Sequence, residues 1–446
     1  MAVFMEVDLG RLELSQNQQR AVGSNNIRSV WRSSDAINGH WLIAGGSGVG
    51  KTHTIRKIIS SMTATSLHPL RIHVLDVHGD IEIPGASEQL FSESTTVGLN
   101  PLIIDPDRHT GGVRKAIQHF ISTINKSGRQ LGDRQEAVLR AILEDLYQAN
   151  HFYADKPESW TLHDGISRKF PKRFPNVDDL SRWAYFKYKQ LYMGGGTRSA
   201  SALDRVNKEA MRIQRISKER GADAEDSLAA VKEKAIEAYT DYVNSIDTGR
   251  ELDDLLKYDS KTTLKSVLDR IDNLKNSGIF RNDPPNFDPR NPVWRYMLNP
   301  LSADEKKMFV FFKLKELYDN AMKRGLCDHI CEVIVIDEAN RFMDNSDPDN
   351  ILSIMANEIR KFGTAIICAS QSFTHFTEDI IGSFATKMIL GIDEHYWPKT
   401  TKQLQLKMEN LAWIVPRQRG IVTIKRKHNP KDPTSKLKWL FTHFNE

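Results

Sequence analysis

The chain has 446 residues, 40% apolar and 27% charged, with 62 basic against 57 acidic side chains and a formal net charge of +5. That length allows two or three domains at roughly 150 residues each, and the apolar content excludes wholesale disorder. No apolar run nears the roughly 18 residues of a membrane span. The N-terminus carries Glu6, Asp8 and Glu13 in place of a signal peptide's basic-then-apolar order, and Cys327, Cys331 and Cys368 make neither a disulfide framework nor a spacing that suggests zinc. A cytoplasmic, reduced protein with no membrane insertion is expected.

In chain order, the apolar run Trp41-Leu42-Ile43-Ala44 reads as a buried strand running into Gly45-Gly46-Ser47-Gly48-Val49-Gly50-Lys51-Thr52, which fits G-x-x-x-x-G-K-[ST] at every position. Ile55, Ile58, Ile59 and Met62 then recur at helical spacing. Glycines let successive N–H groups curl around phosphate oxygens, and the new helix points its positive end at them. Gly45, Gly46, Ser47, Gly48, Val49, Gly50, Lys51, Thr52 and His53 are the expected nucleotide-binding set. Lys51 would reach the β- and γ-phosphates, and the Thr52 hydroxyl would ligate Mg²⁺. A second strand, Ile72 to Leu75, leads into Asp76-Val77-His78-Gly79-Asp80. Asp76 and His78 are candidates for relaying nucleotide state, and His78 lacks a second histidine at metal-binding spacing.

Lys51 and Asp337 lie 286 residues apart, far more than a compact nucleotide-binding core needs, and the excess, between about 106 and 300, reads as mostly helical. Residues 113–149 show long helical patterning (Ile117, Phe120, Ile121 and Ile124, then Val138, Leu139, Ile142, Leu143 and Leu146). Gly194-Gly195-Gly196 marks a break. Leu203, Val206, Ala210, Ile213 and Ile216 then form an apolar stripe, with Arg205, Lys208, Arg212, Arg215 and Lys218 around it. That basic face is either a DNA contact or a solvated surface. Leu264, Val267, Leu268, Ile271 and Leu274 make another helix ending near Gly278, and the proline-rich segment 282–289 is a turn-rich return.

Val333-Ile334-Val335-Ile336 reads as a central parallel strand covered on both faces, with Asp337 and Glu338 at its tip. Asp337 would complete the Mg²⁺ shell, and Glu338 would polarise a water for attack on the γ-phosphate. Ala365 to Ala369 is a further strand ending in Ser370-Gln371, where Gln371 is either a γ-phosphate sensor or an ordinary strand-end residue. Arg360, just before it, is either a transition-state arginine supplied to a neighbouring subunit or a surface charge at a helix end. Late strands are expected at Gly420–Ile424 and Trp439–Phe441, as a hairpin or edge pair. Eight Lys or Arg between Leu411 and Leu440 (417, 419, 425, 426, 427, 431, 436 and 438), near Trp397, Trp413 and Trp439, either track phosphates or form a solvated basic surface.

Taken together, GGSGVGKT, LDVHGD, GLNPL, VIVIDEANRF, NEIRKFGTAIICASQ and KMILGID resemble the HerA–FtsK superfamily of ring-forming motor ATPases, nearest to HerA-type DNA translocases and conjugative secretion ATPases. The resemblance covers about residues 38–105 and 295–395. It implies a strand-end acid–histidine–glycine set at Asp76, His78, Gly79 and Asp80, Walker B acids at Asp337 and Glu338, a sensor at Gln371, and an arginine acting in trans at Arg360. Two features depart from the pattern: only about 40 residues precede the phosphate loop, too few for HerA's β-barrel, and the membrane segments of FtsK-type pumps have no counterpart.

The expected architecture is α/β, a RecA-like P-loop NTPase core with a mostly parallel sheet plus a large mainly helical insertion. Residues 1–105 would form the first part of the core, 106–299 the insertion, and 300–446 the second part with a basic C-terminal segment. The expected function is a Mg-ATP-driven DNA translocase or helicase-type motor, a homo-oligomer forming a hexameric ring; the resemblance to HerA-like motors, which often work with a nuclease, implies a nuclease or effector as partner for any cutting, since the chain itself has no recognisable nuclease motif. The rivals are a secretion or conjugation ATPase and a nucleotide-switched scaffold. Glu338 argues against the last, since a pure switch needs no positioned base.

Overall fold

A computed structural model describes residues 5–14, 27–163, 165, 171–193, 197–216, 222–244, 257–258, 260–344, 347, 349–427 and 437–444. The chain divides into two compact units, residues 1–99 with 284–446, and residues 100–283.

The first unit is built on one eleven-stranded sheet. Its strands are β1 (Glu6–Leu12), β2 (Arg28–Arg32), β3 (Trp41–Ala44), β4 (Arg71–Asp76), β5 (Ser87–Leu90), β6 (Val293–Met297), β7 (Cys327–Ile336), β8 (Phe362–Ser370), β9 (Thr386–Ile389), β10 (Arg419–Ile424) and β11 (Leu440–His443). They lie in the order β5-β6-β4-β7-β8-β3-β9-β10-β11-β1-β2. Every pair from β5 to β9 is parallel, and every pair from β9 to β2 is antiparallel.

The central strands are apolar where both faces are covered, as parallel sheets require: Leu42, Ile43, Val74, Leu75 and residues 333–336 and 365–369 are all buried. Trp41, Ile43, Val74, Val333, Val335, Ile367 and Ala369 pack with Ile55, Ile58, Ile59 and Met62 of the helix Lys51–Thr65. The long helix Ala303–Arg324 packs against β8. Its Ser302 and Glu305 form a reciprocal capping box that satisfies orphan N–H groups at its start, and its Phe309 meets Phe91 and Tyr296.

Two expectations change here. The return from the insertion occurs before residue 299: β6 pairs in parallel with β4 and β5, so Val293–Met297 belongs to the sheet. The late strands do pair, β10 with β11, but they lie inside the sheet, because β1 and β2 extend it beyond them. The helical patterning of residues 113–149 is carried by two helices, Val113–Ser127 and Asp133–Ala149. The helical face continues in register, but Gly128 takes an extended conformation and Gly132 opens the next helix, so the backbone breaks where periodicity does not.

The second unit is helical among its described residues. The apolar faces of Val113–Ser127, Asp133–Ala149 and Lys261–Asn276 are buried, including Phe120, Ile124, Ile142, Leu146, Leu264 and Ile271. Thr197–Ile216 and Ala222–Asn244 run beside each other, joined by the pair Arg205–Asp241 at 3.0 Å. Val206, Ile213 and Ile216 are half-buried, while Arg205, Lys208, Arg212 and Arg215 are exposed. The glycine triplet 194–196 and Lys218 lie outside the described residues.

Candidate nucleotide site

Chain direction decides where the site lies. Because β3, β4, β7 and β8 are parallel, their C-terminal ends converge at one edge, the edge where α/β sheets bind ligands. The phosphate loop leaves β3 there. Gly45 N–H donates to the Ser370 carbonyl of neighbouring β8 (3.0 Å) and Gly46 N–H to Gly391 (2.7 Å), which fixes the start of the loop. Gly48 (φ 75°) and Gly50 (φ 105°) hold the left-handed conformation that only glycine adopts without strain. The helix Lys51–Thr65 follows, with no acid in its first turn to compete for its free N–H groups.

Lys51 Nζ donates to the Gly45 and Gly46 carbonyls (2.8 and 2.9 Å), so the ammonium sits over the loop it is expected to serve. The Thr52 hydroxyl donates to Asp80 Oδ2 at 3.2 Å. Asp337 and Glu338, only 5% and 7% exposed, stand at the tip of β7. Glu338 N–H donates to Asp337 Oδ1 (2.9 Å). Glu338 itself is left-handed at φ 51°, a conformation that costs a non-glycine residue about 1–3 kcal/mol and so points to function. Burial, with Glu338 and Asp80 close by, pushes the Asp337 carboxyl up to about 6. Gln371 follows β8 directly. These groups line one cleft of about 830 Å³ with Ser47 to Thr54, His78, Asp80, Arg341 and Arg417.

The cleft fits a magnesium nucleotide. Glycine backbone and a helix start suit phosphate oxygens. The crowding of Asp80 and Glu338 about Asp337 is what a divalent cation relieves, and with the Thr52 hydroxyl on Asp80 the all-oxygen donor set suits Mg²⁺.

Two expected residues take other places. Arg360 lies in the turn Ile359–Lys361 before β8 begins, exposed, at the opposite end of the sheet from the loop. The nine residues of β8, about 30 Å of strand, separate it from Gln371. Its positive charge adds to burial in holding the neighbouring His40 down at about 4. Asp76 is fully buried and tied into the fold: its carboxylate accepts from Gly79 N–H (2.7 Å) and Ile81 N–H (3.0 Å) and pairs with buried Arg295 (2.7 Å). It shapes the turn that presents His78 and Asp80 to the cleft.

Arg417 is a cleft residue that motif reading does not find. From the turn before β10 it donates Nε–H to the Gly48 carbonyl (2.9 Å), with its own backbone left-handed at φ 64°. Sequence places it only in the basic tail, because nothing local records that β10 lies two strands from β3. The rest of that tail is dispersed: Arg419 lies over the Trp413 ring at 5.0 Å, Lys425 donates to Gly382, and Arg426 to Val30. Lys431 and Lys436 lie outside the described residues. Trp397, Trp413 and Trp439 are half-buried, Trp413 edge-on to Phe441.

Residues 20–171 match the family model of the central domain of helicase HerA. VirB4 of Thermoanaerobacter pseudethanolicus has a similar structure, at TM-score 0.55 and 15% identity over 95% of this chain and 96% of that one. The plasmid coupling protein TrwB, in complex with the non-hydrolysable ATP analogue ADPNP, is similar at TM-score 0.51 and 11% identity over 98% and 94%. No curated protein matches the chain in sequence. Among the described residues, no helix is long and apolar enough to cross a membrane. The chain thus shares an intact phosphate loop and the fold of these two proteins, and its residues 20–171 resemble the central domain of helicase HerA.

Proposed function

We propose that the chain is a subunit of a ring-shaped motor, a homohexamer, that hydrolyses Mg-ATP to move DNA. The observation that carries this reading is the position of Arg360 at the end of the sheet away from the cleft. Lys51, Thr52, Asp337, Glu338 and Gln371 share a cleft at one end, while Arg360 stands at the other and cannot serve the cleft of its own chain. A neighbour that supplies Arg360 completes the site, and head-to-tail repetition of that contact closes a ring.

ATP with Mg²⁺, when bound, supplies the phosphoryl group to be transferred and the cation that offsets its charge. Lys51 leaves the Gly45 and Gly46 carbonyls for phosphate oxygens. The Thr52 hydroxyl and Asp337 carboxylate hold the metal. Glu338, fixed by its left-handed backbone, accepts the proton of the attacking water. Gln371, at the tip of the strand beside β3, senses the γ-phosphate. Plasmid coupling protein TrwB and VirB4 share the fold across nearly the whole chain, the helical unit included. That extent favours a second reading, a conjugation or secretion ATPase energising protein export or pilus assembly. A nuclease or effector partner belongs to the first reading.

Steady-state hydrolysis measured without DNA, with duplex and with single strands, and with Glu338→Gln as control, separates the two. Stimulation by DNA that the variant abolishes supports the DNA motor. Hydrolysis that needs Glu338 but ignores DNA supports the secretion ATPase.

A further inference from the structure

At the end of the sheet away from the nucleotide cleft, β7 does not run straight. Cys327 pairs with Phe362 and Glu332 with Thr364, so four residues of β7 face the single residue Gly363 of β8. Residues four apart along a regular strand are separated by about 13 Å. This bulge instead brings the Cys327 and Cys331 sulfurs to 4.0 Å from each other. His329 falls inside the same loop, with its ring nitrogens 3.6 Å (Nδ1) and 3.9 Å (Nε2) from Cys327 Sγ. Asp328 hydrogen-bonds His329 Nδ1 at 2.9 Å. From the turn after the helix Lys51–Thr65, the ring of His68 stacks on that of His329 at 4.1 Å. Gly363 has to be glycine here: at φ 71° a Cβ would stand 2.6 Å from the His329 carbonyl and 2.9 Å from Cys327 Sγ.

We propose that this bulge is a structural metal site for a zinc-type divalent ion, held by Cys327 Sγ, Cys331 Sγ and His329 Nε2, with His68 or a water as fourth donor. Bonds of about 2.3 Å to sulfur and 2.0–2.1 Å to nitrogen, at tetrahedral angles, put donor atoms about 3.5–3.8 Å apart. The Cys327–His329 and Cys327–Cys331 spacings need only a few tenths of an ångström of adjustment; the donor atoms that already lie within 4.8 Å of one another are those of Cys327, Asp328 and His329, so Cys331 completes the set by turning its sulfur toward His329 Nε2. Two soft sulfurs with imidazole select zinc over magnesium or calcium. Asp328 supplies the partner that metal-bound histidines require: by accepting from Nδ1–H it fixes the tautomer that leaves Nε2 free to bind. On binding, each thiol releases its proton to solvent and its sulfur donates a lone pair to the metal. The three residues are ordinary in sequence. Only the bulge, which gathers i+2 and i+4 beside Cys327 Sγ, makes them a set.

The ion would staple the start of the strand that ends in Asp337 and Glu338 to the turn after the phosphate-loop helix, close beside Ile359–Lys361. The test uses the full chain, purified under reducing conditions. Elemental analysis is expected to find one zinc per chain, lost in Cys327→Ser and in Cys331→Ser but kept in Cys368→Ser, whose sulfur is buried elsewhere in β8. If the serine variants fail to fold, wild-type protein loaded with Co²⁺ gives an independent readout, the near-ultraviolet thiolate-to-cobalt absorption. Asp328→Asn, an exposed change, should weaken zinc affinity by about 10- to 100-fold. No bound zinc together with a Co²⁺ spectrum lacking the thiolate band overturns the proposal. So does zinc retained when both cysteines are replaced, or a Cys327–Cys331 disulfide in place of metal in protein kept reduced.

Discussion

Asp337→Asn removes a charge that the fold disfavours. The residue is 5% exposed, and burial with Glu338 and Asp80 lifts its carboxyl from 3.8 to about 6. A raised folded-state value means that the folded chain holds this proton more tightly than the unfolded chain does. Below the unfolded value both states are protonated and the group costs nothing. The penalty grows as pH rises and levels off above about 6. A shift of roughly two units corresponds to about 3 kcal/mol at full size, and some of it would be relaxed by water entering the cleft. Asparagine keeps an oxygen to accept from Glu338 N–H (2.9 Å) and nearly the same volume. The variant is therefore expected to be more stable than wild type by about 1–3 kcal/mol near pH 8 and within about 0.5 kcal/mol of it near pH 4. Mg²⁺ should stabilise wild type near pH 8 and leave the variant unmoved. Urea unfolding at several pH values, with and without Mg²⁺, measures all three, and hydrolysis should be lost throughout. A variant that is less stable near pH 8, or whose gain is the same at every pH, would refute the account of crowded carboxylates.

Two further changes test particular contacts. Arg417→Ala deletes the guanidinium at Gly48; if that group turns to a phosphate when nucleotide binds, losing a hydrogen bond to a charged partner, about 1.5–3 kcal/mol, raises the KM for ATP by roughly 10- to 100-fold. Arg417→Gly should show the same kinetic defect while relaxing the left-handed backbone, and unchanged KM in both removes the assignment. Arg295→Met leaves Asp76 buried without its cation, which costs about 3–5 kcal/mol as read by the urea midpoint. Adding Asp76→Asn to it should recover part of the loss, and additive losses would contradict the pairing.

What the residue pattern disclosed follows from how local each cause is. The phosphate loop, its strand and its helix are contiguous, so glycine conformation, chain reversal and periodicity all appear within about two dozen residues. Asp337 and Glu338 follow the apolar run Val333-Ile334-Val335-Ile336, whose burial on two faces is itself a local signal. Non-local pairings were hidden. β1 and β2 are half-polar strands whose alternation matters only once β10 and β11 exist to pair with them. β6 was hidden by Trp294 and Arg295, which break an apolar run; Arg295 is tolerated in the interior only because Asp76 and Glu88 meet it there. Arg417 and the bulge at Cys327–Cys331 have the same cause in the opposite sense. Their chemistry depends on which strand lies alongside, and one strand's sequence does not state that.

The separation of Arg360 from its own cleft allows a test that uses no ligand beyond ATP. Lys51→Ala chains lack a working cleft but carry the arginine, whereas Arg360→Ala chains have the cleft but cannot complete a neighbour's. Each variant alone should be inactive if the arginine acts in trans. Mixed one to one with free exchange, a site works when an Arg360→Ala chain is followed by a Lys51→Ala neighbour, which happens at about one quarter of positions in a randomly assembled ring. Hydrolysis should therefore return to at most about a quarter of the wild-type rate, and vary with the mixing ratio as the product of the two fractions. Activity of Arg360→Ala close to wild type would return Arg360 to the role of a surface charge at a helix end. Inactivity of the mixture, with mixed rings demonstrated by native mass spectrometry, would mean that the two residues do not act across one interface. Recovery that follows the product of fractions would require a head-to-tail contact, which brings the two ends of the sheet together from different chains.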